Sequence, residues 1–570
     1  MGQGVEIRER PASAPTQHNE DRLTQLYLSR GAGPEDLDLG LQRLLRPEGL
    51  PEIERAARRI AKAVQQGEQI LLVGDFDADG ATSVALAMLV LRAFGARSPA
   101  FIVPNRFDYG YGLSPEIVSL AQSYNPDLLI TVDNGVASIE GVERANAEGI
   151  DVIITDHHLP GEQLPAAHAL VNPVLSDSQF GSKALAGVGV IYYVLSATRR
   201  VLREAGCFAD RPPPNLADYL DLVALGTVAD VVPLDRNNRI LVHQGLLRMR
   251  AGRTRPGIKA LLELARRDLG RLVAQDLGFA LGPRLNAAGR LDDMSIGIRC
   301  LLTDDLGEAR RLAKALDELN VVRRELEQEM VAEAQLHAAK AIADVAEPSQ
   351  LKGIALYDPL WHQGVVGLVA GRLKDRLNRP VVAFADAGDA APGELKGSAR
   401  SLPGLHIRDL LDEIATSYPG LIQKFGGHAM AAGLTIREIH FKQFARIFDE
   451  SVSAHLSDDA LRAVYITDGE LTAEEMDLSL AVQLRNGGPW GQGFPEPCFH
   501  GQFQVVSERV VGDVHLKLTL KFADRLLDAI AFRTPPVGAE QVRLVYRLDE
   551  NLYRNRQTLQ LMVEHIEPLG

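Results

Sequence analysis

From residue 69 onward the chain alternates short apolar runs with longer amphipathic ones. QILLV (residues 69–73), AFIV (100–103), LLITV (128–132) and VIIT (152–155) carry almost no polar face. Runs this short and this apolar read as strands of a parallel sheet, buried on both faces. Between them, residues 81–94, 115–124 and 138–148 show helical periodicity. The alternation predicts an open, doubly wound α/β sheet, preceded by a helix over 53–64. The apolar run 184–197 is about fourteen residues long, short of the roughly 20 needed to span a bilayer, and reads as a buried helix.

The texture changes three times further on. Residues 304–345 contain no Pro and a single Gly near the start, which predicts one or two long helices joining domains. A second α/β pattern follows (KGIALYDP, a helix over 365–377, then PVVAF) and runs to about residue 456. Beyond 464, alternating runs such as HLKLTLKF and QVRLVYRL predict a small barrel or sandwich. The first fifty residues are polar with scattered Pro and Gly and read as an extension, packed on a domain or partly disordered.

Composition narrows the partners. The 570 residues hold 61 Lys and Arg against 75 Asp and Glu, a net charge of −14. That argues against a non-specific nucleic-acid coat or an anionic membrane surface. Basic residues cluster locally, with eight Lys/Arg against two Asp/Glu between Arg248 and Arg271. Three distant cysteines and no CxxC fit a reducing compartment. The polar N-terminus lacks an apolar leader core, so a cytoplasmic protein is expected.

Candidate chemistry gathers at the ends of the expected strands. GDFDADG places Asp75, Asp77 and Asp79 after the first, TVDNG places Asp133 after the third, and TDHH places Asp156, His157 and His158 after the fourth. Ligands of open α/β sheets bind at this carboxyl edge. The plain alternative for GDFDADG is an Asp-rich turn with Asp79 as helix N-cap. Adjacent histidines on extended backbone are expected to point different ways. GTVADVVPL adds Asp230 in an apolar stretch, where an aspartate needs a partner or a cation. Carboxylates mixed with imidazole suit Mn²⁺ or Mg²⁺. So many ligands suit two ions, roughly 3.5–4 Å apart, as in phosphoester hydrolysis.

The quartet GDFDADG, TVDNG, TDHH and GTVADVVPL resembles the four motifs of the DHH phosphoesterase superfamily. PNRFDYGYGL, GPRLNAAGRL, YDPLWHQGVVGLVAGRL, GSARS, KFGGHAMAAG and GPWGQGFPEPCF extend the resemblance to the bacterial RecJ family of single-strand-specific exonucleases, from about residue 50 to the end. It implies an N-terminal extension (1–52), a DHH catalytic domain (53–303), a helical connector (304–347), a DHHA1 domain (348–457) and an OB-fold barrel (458–570). It implies Asp75, Asp77, Asp79, Asp133, His157 and Asp230 as ligands of two Mn²⁺ or Mg²⁺ ions. Asp133 bridges them, His157 and Asp230 join Asp79 around the second, and His158 contacts the scissile phosphate. Asp156 is expected to orient His157.

The implied activity is 5′-to-3′ hydrolysis of single-stranded DNA to 5′-mononucleotides in DNA repair and recombination, by a monomer. Single-strand-binding protein and a helicase are implied partners. Arg106, Arg284, Asn286, Arg290, Ser398, Arg400, Gly427 and His428 match the family's substrate-binding positions. Gly and Asn around Arg284 and Arg290 suggest a positioned loop. His428 with Trp361 and His362 is expected to face the strand, although His362 reads equally well as a core histidine. Trp490, Phe494 and Phe499 are either stacking platforms or barrel core. Alternatives are a phosphodiesterase for short oligonucleotides or cyclic dinucleotides, disfavoured by the extra C-terminal domain, and a non-catalytic scaffold, disfavoured by the intact acidic ring. A Rossmann enzyme is excluded, since GDFDADG lacks the glycine fingerprint and puts acids where a pyrophosphate sits.

Overall fold

The computed structural model describes residues 5–11, 21–104, 112–343, 351–388, 391–512, 514–553 and 556–569. The chain divides into two compact units. One comprises Ile7–Asp317 with Tyr465–Gly570, the other Met1–Glu6 with Glu318–Val464.

In the first unit the apolar runs pair as a parallel sheet, in the order Ala100–Ile102, Ile70–Gly74, Leu128–Val132, Asp151–Thr155 and Ala169–Val171. Every residue of Ile70–Gly74 and Leu128–Val132 is buried, which is why neither shows period-two alternation. The fifth strand, Ala169–Val171, is only three residues long and escaped the sequence reading. Helices Ala78–Phe94 and Gly187–Glu204 are buried along most of their length. The latter absorbs the apolar run at 184–197.

The same unit contains a closed five-stranded barrel, ordered Phe499–Val511, His515–Phe522, Arg525–Ala531, Arg556–Pro568 and Gln541–Tyr553. Closure pairs Arg525–Ala531 in parallel with Arg556–Pro568 and leaves no sheet edge. The extension docks here through helix Arg22–Leu28. Leu26 joins the barrel core, the Tyr27 hydroxyl donates to the Gly487 carbonyl, and Arg30 pairs with Asp468 at 2.8 Å.

A single helix, Leu306–Ala343, runs from the first unit into the second. Its 38 residues span roughly 57 Å at about 1.5 Å per residue. The second unit holds a mixed sheet ordered Lys424–Gly427, Ala431–Arg437, Glu394–Arg400, Val381–Asp386 and Ile354–Tyr357. Its core packs Phe384, Phe444 and Phe448 under the sheet. Among the described residues no helix is long and apolar enough to cross a membrane.

Candidate metal centre and anion sites

Three strand ends and one helix end converge. Ile70–Gly74 ends on Asp75, and Asp77 caps helix Ala78–Phe94, accepting from the Gly80 N–H at 2.9 Å. The cap is therefore Asp77. Asp79 lies in the first helical turn, buried, and accepts from the Gly187 and Val188 N–H groups at 2.6 and 3.0 Å. Those amides open helix Gly187–Glu204, so its dipole supports a negative charge there. Leu128–Val132 ends on Asp133, held at φ 64°, a left-handed conformation uncommon outside glycine. Asn134 ties the neighbouring strand ends, donating to the Val73 and Val132 carbonyls. Asp230 ends helix Leu220–Ala229.

The approach of these elements is close enough to dictate glycines. A Cβ on Gly187 would lie 2.6 Å from Asp133, and one on Gly226 would lie 2.7 Å from Asp79 Oδ1 and 2.2 Å from Thr82 Oγ1.

The result is three overlapping clusters: Asp75 with Asp77 and Asp133; Asp79 with His157 and Asp230; Asp133 with His157 and His158. Within each, one donor atom per residue lies within 4.8 Å of the others. His157 Nε2 is 3.1 Å from Asp133 Oδ1 and 3.5 Å from Asp230 Oδ2. Burial, then the charge of Asp77, pushes Asp79 up to about 7. Burial followed by the charge of Asp79 pushes Asp133 and Asp230 well above the usual carboxylate range. Asp230 Oδ2 is buried and accepts no hydrogen bond among the described residues. Buried carboxylates that repel one another, interleaved with an imidazole, are a donor set that fits divalent cations.

His157 and His158 do not point apart. The strand ends at Thr155, and the rings lie side by side with centroids 4.5 Å apart. Asp156 serves His158 rather than the ring of His157. Its Oδ1 is 2.7 Å from His158 Nδ1, and it also accepts from the backbone N–H groups of Val136, His157 and His158. Burial would raise Asp156, but the His158 hydrogen bond and charge outweigh it and hold Asp156 low. Burial would likewise lower His158, and Asp156 reverses that.

Asn286, Arg284 and Arg290 lie on a helix, Gly282–Leu291, not on a loop. Asn286 Oδ1 accepts from the Ala78 N–H at 2.7 Å and so braces the turn between Asp77 and Asp79. A Cβ on Gly289 would sit 1.7 Å from the Phe76 carbonyl, so this helix presses directly on the GDFDADG loop. Arg284 is ion-paired to Asp317 at 2.8 Å. Sequence reasoning missed this bracing role, whose signal is the spacing of Asn286 and Gly289 on one helix face. Arg106 lies outside the described residues.

In the second unit, Ser398 and Arg400 share strand Glu394–Arg400, paired to Ala431–Arg437, which in turn pairs with Lys424–Gly427. Arg400 donates to Ser398 Oγ and the Ala399 carbonyl at 2.9 and 2.8 Å. No carboxylate pairs with it among the described residues, and burial lowers its pKa. Gly367 makes room, since a Cβ there would lie 2.9 Å from the Arg400 guanidinium. Gly427 has φ 144°, and the His428 N–H donates to the Ala431 carbonyl.

Trp361 does not face a strand. It is buried, stacks on His337 and donates to Glu333 on the long helix. His362 Nδ1 accepts from the Gly364 N–H within its own turn. Trp490, Phe494 and Phe499 are all buried. Trp490 and Phe494 stack with Tyr27, and Trp490 donates to the Leu484 carbonyl, which removes them as base platforms.

Family models match in chain order. The DHH family N-terminal domain covers residues 69–227, the DHHA1 domain 350–454 and the RecJ OB domain 467–565. Fold and acidic cluster thus define a DHH-family protein with a DHHA1 domain and an OB barrel. The chain is 52% identical over 557 residues to the single-stranded-DNA-specific exonuclease RecJ of Dickeya dadantii, covering 96% of each chain. It is 50% identical over 587 residues to RecJ of Escherichia coli, covering 100% of each. A crystal structure of RecJ in complex with Mn²⁺ from Thermus thermophilus matches with a TM-score of 0.81 at 29% identity, over 99% of this chain and 80% of that one. The chain belongs to the RecJ family of single-stranded-DNA-specific exonucleases.

Proposed function

We propose that the protein is a metal-dependent exonuclease specific for single-stranded DNA, hydrolysing from the 5′ end to release 5′-mononucleotides. The observation that carries it is the pair of donor clusters, Asp75/Asp77/Asp133 and Asp79/His157/Asp230, on one sheet edge of a RecJ-family chain. Mn²⁺ or Mg²⁺ held by these residues would lower the pKa of water and neutralise charge on the phosphoryl oxygens. Asp133, which belongs to the first of these clusters and to a third with His157 and His158, would be offered to both ions. His158, whose pKa burial lowers and Asp156 raises on balance, supplies a hydrogen-bond donor to the scissile phosphate. Asn286 and Gly289 position the Asp77–Asp79 turn.

Arg400 with Ser398, on the same sheet as Gly427 and beside the turn at His428, binds the terminal phosphate. A half-buried guanidinium without a carboxylate among the described residues supports this reading. Arg106 and Arg290 contribute further phosphate contacts, while Arg284 acts through Asp317 as a positioning residue. The domain limits read from the sequence (1–52, 53–303, 304–347, 348–457, 458–570) delimit these parts. The enzyme works in the cytoplasm as a monomer, in DNA repair and recombination, on strands supplied by a helicase and coated by single-strand-binding protein.

The test is digestion of 5′-labelled single-stranded and blunt duplex DNA with Mn²⁺ or Mg²⁺, wild type beside Asp133→Ala. Metal-dependent mononucleotide release from single strands alone, absent in the variant, is expected. Activity without metal, or full activity in the variant, overturns the mechanism. Equal digestion of duplex overturns the substrate.

A further inference from the structure

The basic run between Arg248 and Arg271 is not used by the reaction described above. In the first unit it forms one wall of a cavity of about 550 Å³, between the catalytic-domain helices and the barrel. That volume is within the range of a small-ligand site, about 300–1,000 Å³. Three lining arginines are already neutralised: Arg267 by Asp276, Arg271 by Glu550 and Arg547 by Glu496. Three others are not.

Arg250 and Arg485 donate to the carbonyls of Leu272 and Arg271, and no carboxylate pairs with Arg250, Arg266 or Arg485 among the described residues. Arg250 and Arg485 both line this cavity; burial, then the charge of Arg485, lowers the pKa of Arg250, against the charge of Asp276.

The fourth feature is aromatic. Phe279 lines the cavity yet is 79% exposed, unusual for a phenylalanine. It sits in a π-helical turn, Leu277–Leu281, an irregularity that recurs at functional sites. This turn packs on the end of helix Leu220–Ala229. A Cβ on Gly278 would lie 3.2 Å from Val228, two residues before Asp230. The turn that carries Phe279 thus touches the helix that ends on Asp230, while none of the residues lining the cavity belongs to the acidic centre. An exposed ring beside unpaired guanidiniums matches a base and its phosphate.

We propose that this cavity binds a nucleotide of the strand beyond the one being cleaved, its base stacked on Phe279 and its phosphodiester held by Arg250, Arg266 and Arg485. The proposal rests on the exonuclease reading. It gives long strands a hold that the shortest substrates lack.

The test compares wild type, Phe279→Ala and Arg266→Gln, with melting curves to check folding. The substrates are an oligothymidylate of about 20 nucleotides, longer than the roughly 4–16 that one OB barrel covers, and a trinucleotide. The expected result is a KM for the long strand raised about tenfold in Phe279→Ala, in line with loss of one base stack, at constant kcat, with the trinucleotide constants unmoved. Arg266→Gln should raise the long-strand KM and flatten its salt dependence.

Unchanged long-strand KM in both variants overturns the proposal. So does an equal loss on the trinucleotide, which would assign Phe279 to the catalytic centre. A free-nucleotide arm uses labelled thymidine monophosphate. If it binds the wild type, is lost in Phe279→Ala and leaves the long-strand KM unmoved, the site belongs to a free nucleotide and the strand reading fails. Fluorescence anisotropy of the long strand on metal-free protein reads the cavity directly. A wild type that cleaves neither substrate rejects the exonuclease reading, and the anisotropy difference then still decides the cavity.

Discussion

The acidic centre of the first unit and the Arg400 pocket of the second are electrical opposites built the same way. In one, Asp79 and Asp133 are buried among carboxylates that raise each other's pKa. In the other, a guanidinium is half-buried with Ser398 Oγ and the Ala399 carbonyl as its acceptors among the described residues. Glycines make both possible. Gly187 and Gly226 admit the carboxylates, and Gly367 admits the guanidinium. Each site holds charge that the fold alone does not compensate, and this costs stability in the free protein. The comparison teaches that the missing partner can be read by sign: cations for the first, an anion for the second. A stability optimum would have neutralised both.

The sharpest way to break this pairing is Asp133→Asn. The side chain keeps its shape and tolerates the positive φ, but loses the charge shared by two clusters. Activity should fall at least about 10³-fold, the scale of a several-kcal/mol metal contribution. The metal-free melting temperature should stay level or rise, because a repelling carboxylate is gone. A drop in metal-free stability would show that Asp133 is compensated within the fold.

Next in size is Arg400→Gln. Loss of a charge-assisted contact of about 1.5–3 kcal/mol should lower kcat/KM on 5′-phosphorylated strands by roughly 10- to 150-fold. Strands ending in a 5′-hydroxyl should suffer much less. Equal losses on both ends would mean that Arg400 does not read the terminal phosphate.

Gly289→Ala tests the brace rather than the charge. Pushing a methyl group against the Phe76 carbonyl should destabilise by about 1–3 kcal/mol, read in urea unfolding, and slow the reaction through the displaced turn. Neutral stability would mean that the helix Gly282–Leu291 yields without effect.

The smallest effect is on pH dependence. Asp79 is raised to about 7, with Asp133 and Asp230 raised alongside. The folded metal-free state therefore keeps protons that the unfolded chain releases from about pH 4 upward. Its stability should fall as pH rises through about 7. Mn²⁺ requires the carboxylate forms, so its stabilising effect should grow over the same window. Melting curves near pH 5 and pH 8, with chelator or with Mn²⁺, measure both trends. A metal-free melting temperature that climbs with pH would contradict the raised carboxylates.

Much of this was legible in the chain. The buried strands were visible because parallel strands covered on both faces are continuously apolar. The acids at their ends were visible because a sheet places all its carboxyl ends on one edge. Ala169–Val171 was not visible, since three residues carry no period. Helix Gly282–Leu291 was read as a loop because Gly, Pro and Asn signal turns locally. Packing against Phe76 overrides that propensity. His158 and Asp156 show the same limit: nothing in TDHH says which ring the carboxylate holds once the backbone leaves the strand.

The aromatics Trp490 and Phe494 illustrate the divide. Their identity allowed either a base platform or a core, and only docking of Tyr27, distant in sequence, buried them. Arg248–Arg271 is the converse, a basic run whose length along the chain was plain. Which of its arginines stay unpaired depended on Asp276 reaching Arg267 and on Glu550 arriving from the barrel at Arg271. Local order along the chain determined the strands, the acidic motifs, the family and the kind of ion they suit, because periodicity and spacing are local properties. Tertiary structure alone decided which charges meet a partner and which remain uncompensated. Pairing is a property of contacts between residues far apart in sequence, and in a low-dielectric interior those contacts settle where charge is left for a ligand.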